Sequence, residues 1–196
     1  LNVATLISDI QVNSRYLTGL AMPNTKLVAI RSPKGTGKTS LMREWLSTKK
    51  PVIAVTMRVA LAKKNAIDYV LHNYQSLTTN LDKAHRVAIQ VDSLVRLSSQ
   101  GLHRFKSGTV VIDEASQFLR HLTGDTLKNK RLEVLVILRS LVAIADKVIL
   151  MDADLTQQDI NHFQKLLAKQ QPSLTIIDNI VKANHRTYVE YSSKDQ

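Results

Sequence analysis

The strongest chemical signal is the run SPKGTGKTS, Ser32 to Ser40. Gly35 and Gly37 let the backbone fold back and aim its N–H groups at phosphate oxygens. Lys38 reaches the β and γ phosphates, and the Thr39 hydroxyl supplies one oxygen to Mg²⁺. Pro33, Lys34, Thr36 and Ser40 complete the candidate cradle. Its first position is usually glycine but needs only a small residue, and here it is Ser32. A second candidate is the acid pair Asp113 and Glu114 in TVVIDEASQF. Asp113 would hold Mg²⁺ through a water while Glu114 polarises the water that attacks the γ phosphate, since phosphoryl transfer needs mostly positioning and charge stabilisation. Acid pairs at strand ends also occur as plain solvated turns, and the loop upstream is what gives this pair a catalytic reading. A third group, Asp152 and Asp154 in VILMDADLT, has two readings: sensors of the γ phosphate, or carboxylates that cap backbone N–H groups at a helix start.

These residues need strands and helices to hold them. Short apolar runs recur at KLVAI from Lys26, PVIAVT from Pro51, RVAIQ from Arg86, GTVVID from Gly108, KVILMD from Lys147 and LTIID from Leu174. Several are apolar throughout rather than alternating, as expected of parallel strands covered on both faces. Helical spacing appears in TSLMREWLS after the loop, in ALAKKNAIDYVLHNY from Ala60 and in TQQDINHFQKLLAK from Thr156. The last is amphipathic through Ile160, Phe163 and Leu167, and Thr156 with Asp159 makes a capping-box-like start. The run KRLEVLVILRSLVAIA from Lys130 is apolar on almost every side and reads as a buried helix, and SLTTNLDKAH from Ser76 reads as a loop. TYVEY near the end reads as a final strand. The fold class is α/β, doubly wound, with a mostly parallel sheet and helices on both faces. Residues 1–24 read as a lead segment, 25–180 as the domain and 181–196 as a connection.

At 196 residues and 44% hydrophobic, the chain can bury the core of one such domain. It has no cysteine, which excludes disulfides and thiolate zinc sites and fits a reducing, cytoplasmic interior. No apolar run reaches the roughly 18 residues of a membrane span, so no membrane partner is expected. The formal charge of +11, spread along the chain, favours polyanionic partners, with nucleic acid the commonest. The chain begins at Leu1, which reads as a fragment of a longer protein or a processed product. Arg15 and Tyr16 lie upstream of the loop, where a base could stack on them, although Tyr16 reads first as ordinary packing. His103, His121 and His185 lack ligand spacing and read as structural or surface residues.

The motif series resembles the first RecA-like domain of superfamily 2 helicases. VTMRVALA from Val55 is similar to the segment that in those enzymes lies against the nucleic-acid backbone, and VIDEAS resembles their acid motif. LMDADLT stands where they carry a Ser/Thr-Ala-Thr coupling motif, with acids in place of both hydroxyl residues. Closer still is the origin-binding replication family that includes herpesvirus origin-binding proteins and cyanobacterial plasmid replication proteins. The order VNSRYL, IRSPKGTGKT, VTMRVALA, QVDSLVRL, VVIDEASQFLRHL and VILMDADLT is similar to that family from roughly Val12 to Thr156. The resemblance implies an ATP- and Mg²⁺-dependent motor in plasmid or phage-type DNA replication. It makes Thr56, Arg58 and Ser93 candidate DNA-facing residues and gives Asp152 and Asp154 a coupling role. For Arg58 the alternative is a surface arginine at a helix start, and for Ser93 a strand-to-helix cap. It also implies a second RecA-like domain, whose arginine finger is worth about 10³ to 10⁵ in rate in related enzymes. Alone, this chain would bind nucleotide weakly and hydrolyse little. Two other functions fit the same motifs: a terminase-like packaging ATPase, and an initiation module that uses ATP as a switch.

Overall fold

The computed structural model describes residues 6–77, 80–167 and 172–182. The side chains of residues 125, 126, 128, 166 and 167 lie outside the description, as do His185 and the TYVEY segment. All eight strands among the described residues belong to one parallel sheet. In chain order they are β1 (Ile10–Val12), β2 (Leu27–Arg31), β3 (Val52–Thr56), β4 (His72–Asn73), β5 (Arg86–Gln90), β6 (Thr109–Asp113), β7 (Lys147–Asp152) and β8 (Leu174–Asn179). Their order across the sheet is β1-β8-β2-β7-β6-β3-β5-β4. The six expected apolar runs all form strands, and β2, β3, β6 and β7 are buried over nearly their whole length. Two core clusters explain why these strands are apolar on both faces. On one side α1 (Lys38–Leu46) and α2 (Val59–Asp68) bring Leu41, Met42, Leu46 and Ala66 onto Val28, Ile30, Ala54 and Ile149. On the other, α3 (Ser99–His103), α4 (Ala115–Thr123), α5 (Arg131–Ile144) and α6 (Gln157–Leu167) cover Ala29, Val55, Ile112 and Leu150. There Phe118 of α4 stacks on Phe163 of α6, with ring centroids 6.1 Å apart.

Three expectations are corrected. The helix expected to run from Ala60 to Tyr74 stops at Asp68, because the chain turns at Val70 into the left-handed region, with φ 55°. The Leu71 N–H donates to the Ala66 carbonyl and the Val70 N–H to that of Ile67, which is the Schellman arrangement without its usual glycine. This turn frees His72 and Asn73 to pair with Val87 and Ala88 as an edge strand. The apolar helix from Lys130 is only half buried: α5 lies in an outer layer and buries Val134, Leu138, Leu141 and Val142, while Leu132 and Val136 are 75% and 54% exposed. The lead segment is part of the sheet, since β1 pairs with β8 at the edge.

Arg86 closes this side of the molecule. Its guanidinium donates to the carbonyls of Leu46 and Lys49 at 2.9 and 2.6 Å and of Tyr69 and Val70 at 3.1 and 3.3 Å. One side chain thus satisfies the ends of both α1 and α2, whose carbonyls have no partner within their own helices. The Val70 side chain is 68% exposed, so it gains little packing for its strained backbone. Val70→Gly should therefore stabilise the protein by about 1 kcal/mol, seen as a higher urea midpoint at unchanged slope. An equal or lower midpoint would show that the Val70 side chain contributes packing worth more than the strain.

Candidate nucleotide site

The site grows from the carboxyl end of β2. Parallel pairing puts Arg31 opposite Asp152 of β7 on one side and Asp178 of β8 on the other. Arg31 forks onto Asp178, Nε to Oδ1 at 2.7 Å and Nη2 to Oδ2 at 2.5 Å, and the next residue donates its N–H to the Asp152 carbonyl at 3.1 Å. From this fixed root the chain enters the loop. Gly35 and Gly37 have φ of 78° and 81°, a conformation that side-chain-bearing residues rarely adopt. Gly37 is the N-cap of α1, so the helix opens at Lys38 with its first N–H groups unbonded by any side-chain cap. Lys38 Nζ is held by the loop's own carbonyls, those of Ser32 and, at 2.8 Å, of Pro33.

Across from the loop stand the acids. In-register pairing of β6 with β7 sets Asp113 opposite Met151, which brings the ends of these strands level with that of β2. Lys34, Gly35, Gly37, Lys38, Thr39, Asp113, Glu114, Asp152 and Asp154 all line a single cleft of about 370 Å³. Ser32 and Thr36 are buried beneath it, and Ser40 is exposed on the first turn of α1. Burial raises the Asp113 carboxyl above the usual range, partly offset by the Glu114 N–H, which donates to Oδ1 at 3.0 Å, and by Lys64 and Lys38. Burial likewise lowers the Lys38 ammonium, against the pull of Asp113, Asp152 and Asp154. Glu114 sits in the left-handed region at φ 53°, a strain of the kind found where a side chain must be aimed. Thr39 and Asp113 offer hard oxygen donors on opposite walls, the chemistry that Mg²⁺ takes when phosphate oxygens and waters complete its shell. No cluster of three or more His, Cys, Asp or Glu suited to a metal occurs among the described residues.

Asp152 and Asp154 differ. Asp152 is 8% exposed; its Oδ2 accepts the Ser116 N–H at 2.9 Å and its Oδ1 the Asp154 N–H at 3.1 Å. It thus caps α4, the helix that follows the acid pair, from the neighbouring strand. Asp154 is exposed. The Ser116 hydroxyl donates to Asp159 Oδ2 at 2.9 Å, and Asp159 and Thr156 form a reciprocal capping box at the start of α6. The helix after the acid pair and the helix after Asp152 and Asp154 are therefore bonded to each other.

The candidate DNA-facing residues lie at or just past the ends of neighbouring strands β3 and β5, outside the cleft. Arg58 is exposed and Ser93 half-buried. Thr56 is fully buried, its hydroxyl donating to the Arg58 carbonyl at 3.1 Å, so it shapes the turn behind Arg58 instead of presenting a surface hydroxyl. Asp92 beside Ser93 pairs with His121 of α4 at 2.8 Å, which gives that histidine a structural place. Tyr16 is 52% exposed rather than packed, with Arg15 5.5 Å from its ring centroid, and lies against Gly37. The polar cleft residues Lys64, Tyr69 and Gln117 escaped the sequence reading, as did Ala153 between the two aspartates. Gln117 had a signal, three residues after Glu114 on a helix start. Lys64 lies on α2 and Tyr69 caps its end, in a run whose apolar spacing says only that it packs. Tyr69 reaches the cleft from below, its hydroxyl 3.4 Å from Asp113 Oδ2.

Among the described residues no helix is long and apolar enough to cross a membrane. The chain is 27% identical over 187 residues to the replication origin-binding protein of human herpesvirus 7, covering 87% of this chain and 22% of that protein. It is 25% identical over 158 residues to an Escherichia phage T5 protein named for origin binding, covering 76% and 17%. The chain thus spans about a fifth of the length of these relatives. A solved structure of Mss116p bound to ssRNA and AMP-PNP aligns with a TM-score of 0.49 at 16% identity, over 83% of this chain and 38% of that one. The family described as origin of replication binding protein matches residues 8–184, and with that span covering nearly the whole sequence, the chain belongs to this family.

Proposed function

We propose that this chain is the ATP-binding half of a DNA-dependent ATPase of helicase type that acts in DNA replication of the plasmid or phage kind. The observation that carries the reading is the single cleft in which loop, lysine, threonine hydroxyl and acid pair converge from β2, α1 and β6. ATP is the substrate: its phosphates lie along the loop N–H groups with Lys38 at the β and γ phosphates, and its base lies toward Arg15 and Tyr16. Mg²⁺, held from Thr39 and Asp113, would supply charge neutralisation at the phosphate oxygens. Glu114 aims at the attacking water. Asp152 and Asp154 relate the state of the cleft to α4 and α6. Arg58 and Ser93 face DNA, and a second RecA-like domain closes over the nucleotide. Membership of an origin-binding family favours replication over DNA packaging.

Lys38→Ala should abolish calorimetric binding of a nonhydrolysable ATP analogue with Mg²⁺, and single-stranded DNA should tighten wild-type binding. Equal binding by both proteins would overturn the site assignment, and indifference to DNA would overturn the motor. Glu114→Gln should keep nucleotide binding within a few-fold while lowering DNA-stimulated hydrolysis at least about 10²-fold in a protein that includes the second domain. Retained turnover would remove Glu114 from the chemistry. Asp113→Asn should abolish the Mg²⁺ dependence of nucleotide binding. It should also raise the urea midpoint of the ligand-free protein at neutral pH, because a desolvated carboxylate is stability given up for function. A lower midpoint would show that Asp113 holds the fold together instead.

A further inference from the structure

Ser32 occupies a position where glycine would serve, and its hydroxyl is wholly buried, so it needs hydrogen-bond partners. Their direction can be worked out. The Thr36 hydroxyl donates its one proton to the Pro33 carbonyl at 2.7 Å, so the 2.6 Å contact between the two hydroxyls runs from Ser32 to Thr36. Ser32 Oγ in turn accepts from Asn179 Nδ2 at 3.1 Å. A one-way chain thus leads from Asn179 through Ser32 and Thr36 to the Pro33 carbonyl, where it meets the Lys38 ammonium. Chains of this kind polarise along their length.

Asn179 is 3% exposed at the end of β8 and uses its full bonding capacity. Besides Ser32, its Nδ2 donates to the Ser14 carbonyl at 2.9 Å, and its Oδ1 accepts the N–H groups of Ser14 and Val181, both at 3.3 Å. Ser14 opens the segment that carries Arg15 and Tyr16 past the loop, where the Leu17 N–H donates to the Thr36 carbonyl at 2.9 Å. One carboxamide therefore holds the base-side segment, the root of the phosphate loop and the chain leaving the last strand. Two of the three protons of the Lys38 ammonium go to the Ser32 and Pro33 carbonyls, so a phosphate that draws Lys38 competes with the carbonyl that ends the chain Asn179 begins.

We propose that Asn179 is a positioning residue that couples the segment Ser14–Leu17 to the phosphate loop, so that recognition of the base and of the phosphates is interdependent. The proposal rests on the nucleotide reading above. It is tested by calorimetry on this chain with Mg²⁺ and two probes, AMP-PNP and inorganic tripolyphosphate, which lacks the nucleoside. Asn179→Ala should lower the ratio of AMP-PNP to tripolyphosphate affinity by about tenfold, the scale of a lost buried hydrogen bond. Ser32→Ala, which cuts only the link to the loop at nearly constant volume, should lower it less. Circular dichroism confirms that each variant is folded, and Ser32→Ala decides the matter if Asn179→Ala is not. A ratio unchanged from wild type in a folded variant, even with both affinities reduced, overturns the coupling and leaves the nucleotide site standing. Wild-type protein that binds neither probe overturns both.

Discussion

Everything in this molecule depends on the in-register parallel pairing of β2 with β7 and β8, and of β7 with β6. A parallel ladder sends every strand out of the sheet at the same edge, so the residues that end β2, β6 and β7 arrive together without any long-range contact between their side chains. Arg31, Asp113 and Asp152 are such residues. The register is fixed because strands buried on both faces cannot slip without moving large side chains such as Ile30, Ile112 and Leu150 out of closely packed layers. The packed core is thus what turns a loop and an acid pair far apart in the chain into the walls of one cleft.

That cleft is set against the tendency of the rest of the fold. The core lowers free energy by removing apolar surface from water, whereas the cleft holds a carboxyl and an ammonium that are both partly stripped of water. Glu114 adds a left-handed backbone. Some of this cost is offset locally: the Glu114 N–H solvates Asp113, and loop carbonyls solvate Lys38. The proposed nucleotide would satisfy both groups, its phosphates the ammonium and its cation the carboxyl.

Hydrogen bonds also tie the cleft to its surroundings. Asp152 caps α4, Ser116 of α4 bonds Asp159 of α6, and His121 farther along α4 pairs with Asp92 beside Ser93. The helix that follows the acid pair is therefore bonded on one side to the segment after β7 and on the other to the segment after β5. Since α4 also buries Phe118, Leu119 and Leu122, it is held as a rigid body between them.

The sequence by itself determined the class of fold and which residues are candidates for chemistry. Glycines, lysine and threonine at fixed spacing make a phosphate loop wherever a strand leads in and a helix leads out, because the geometry is local. Six strands were readable because double burial demands continuous apolar runs. What it could not show depended on distant partners. The end of α2 at Asp68 follows from a turn at Val70 without its usual glycine, sealed by Arg86 from another strand. The exposed side of α5 follows from its place in an outer layer. Lys64 and Tyr69 enter the cleft only because α2 and its end pack on β3 and β5, next to β6, and Ser32 gains a role only when β8 brings Asn179 to it. Spacing along the chain encodes what neighbours in sequence can do together, and only the packed sheet decides which distant groups become neighbours.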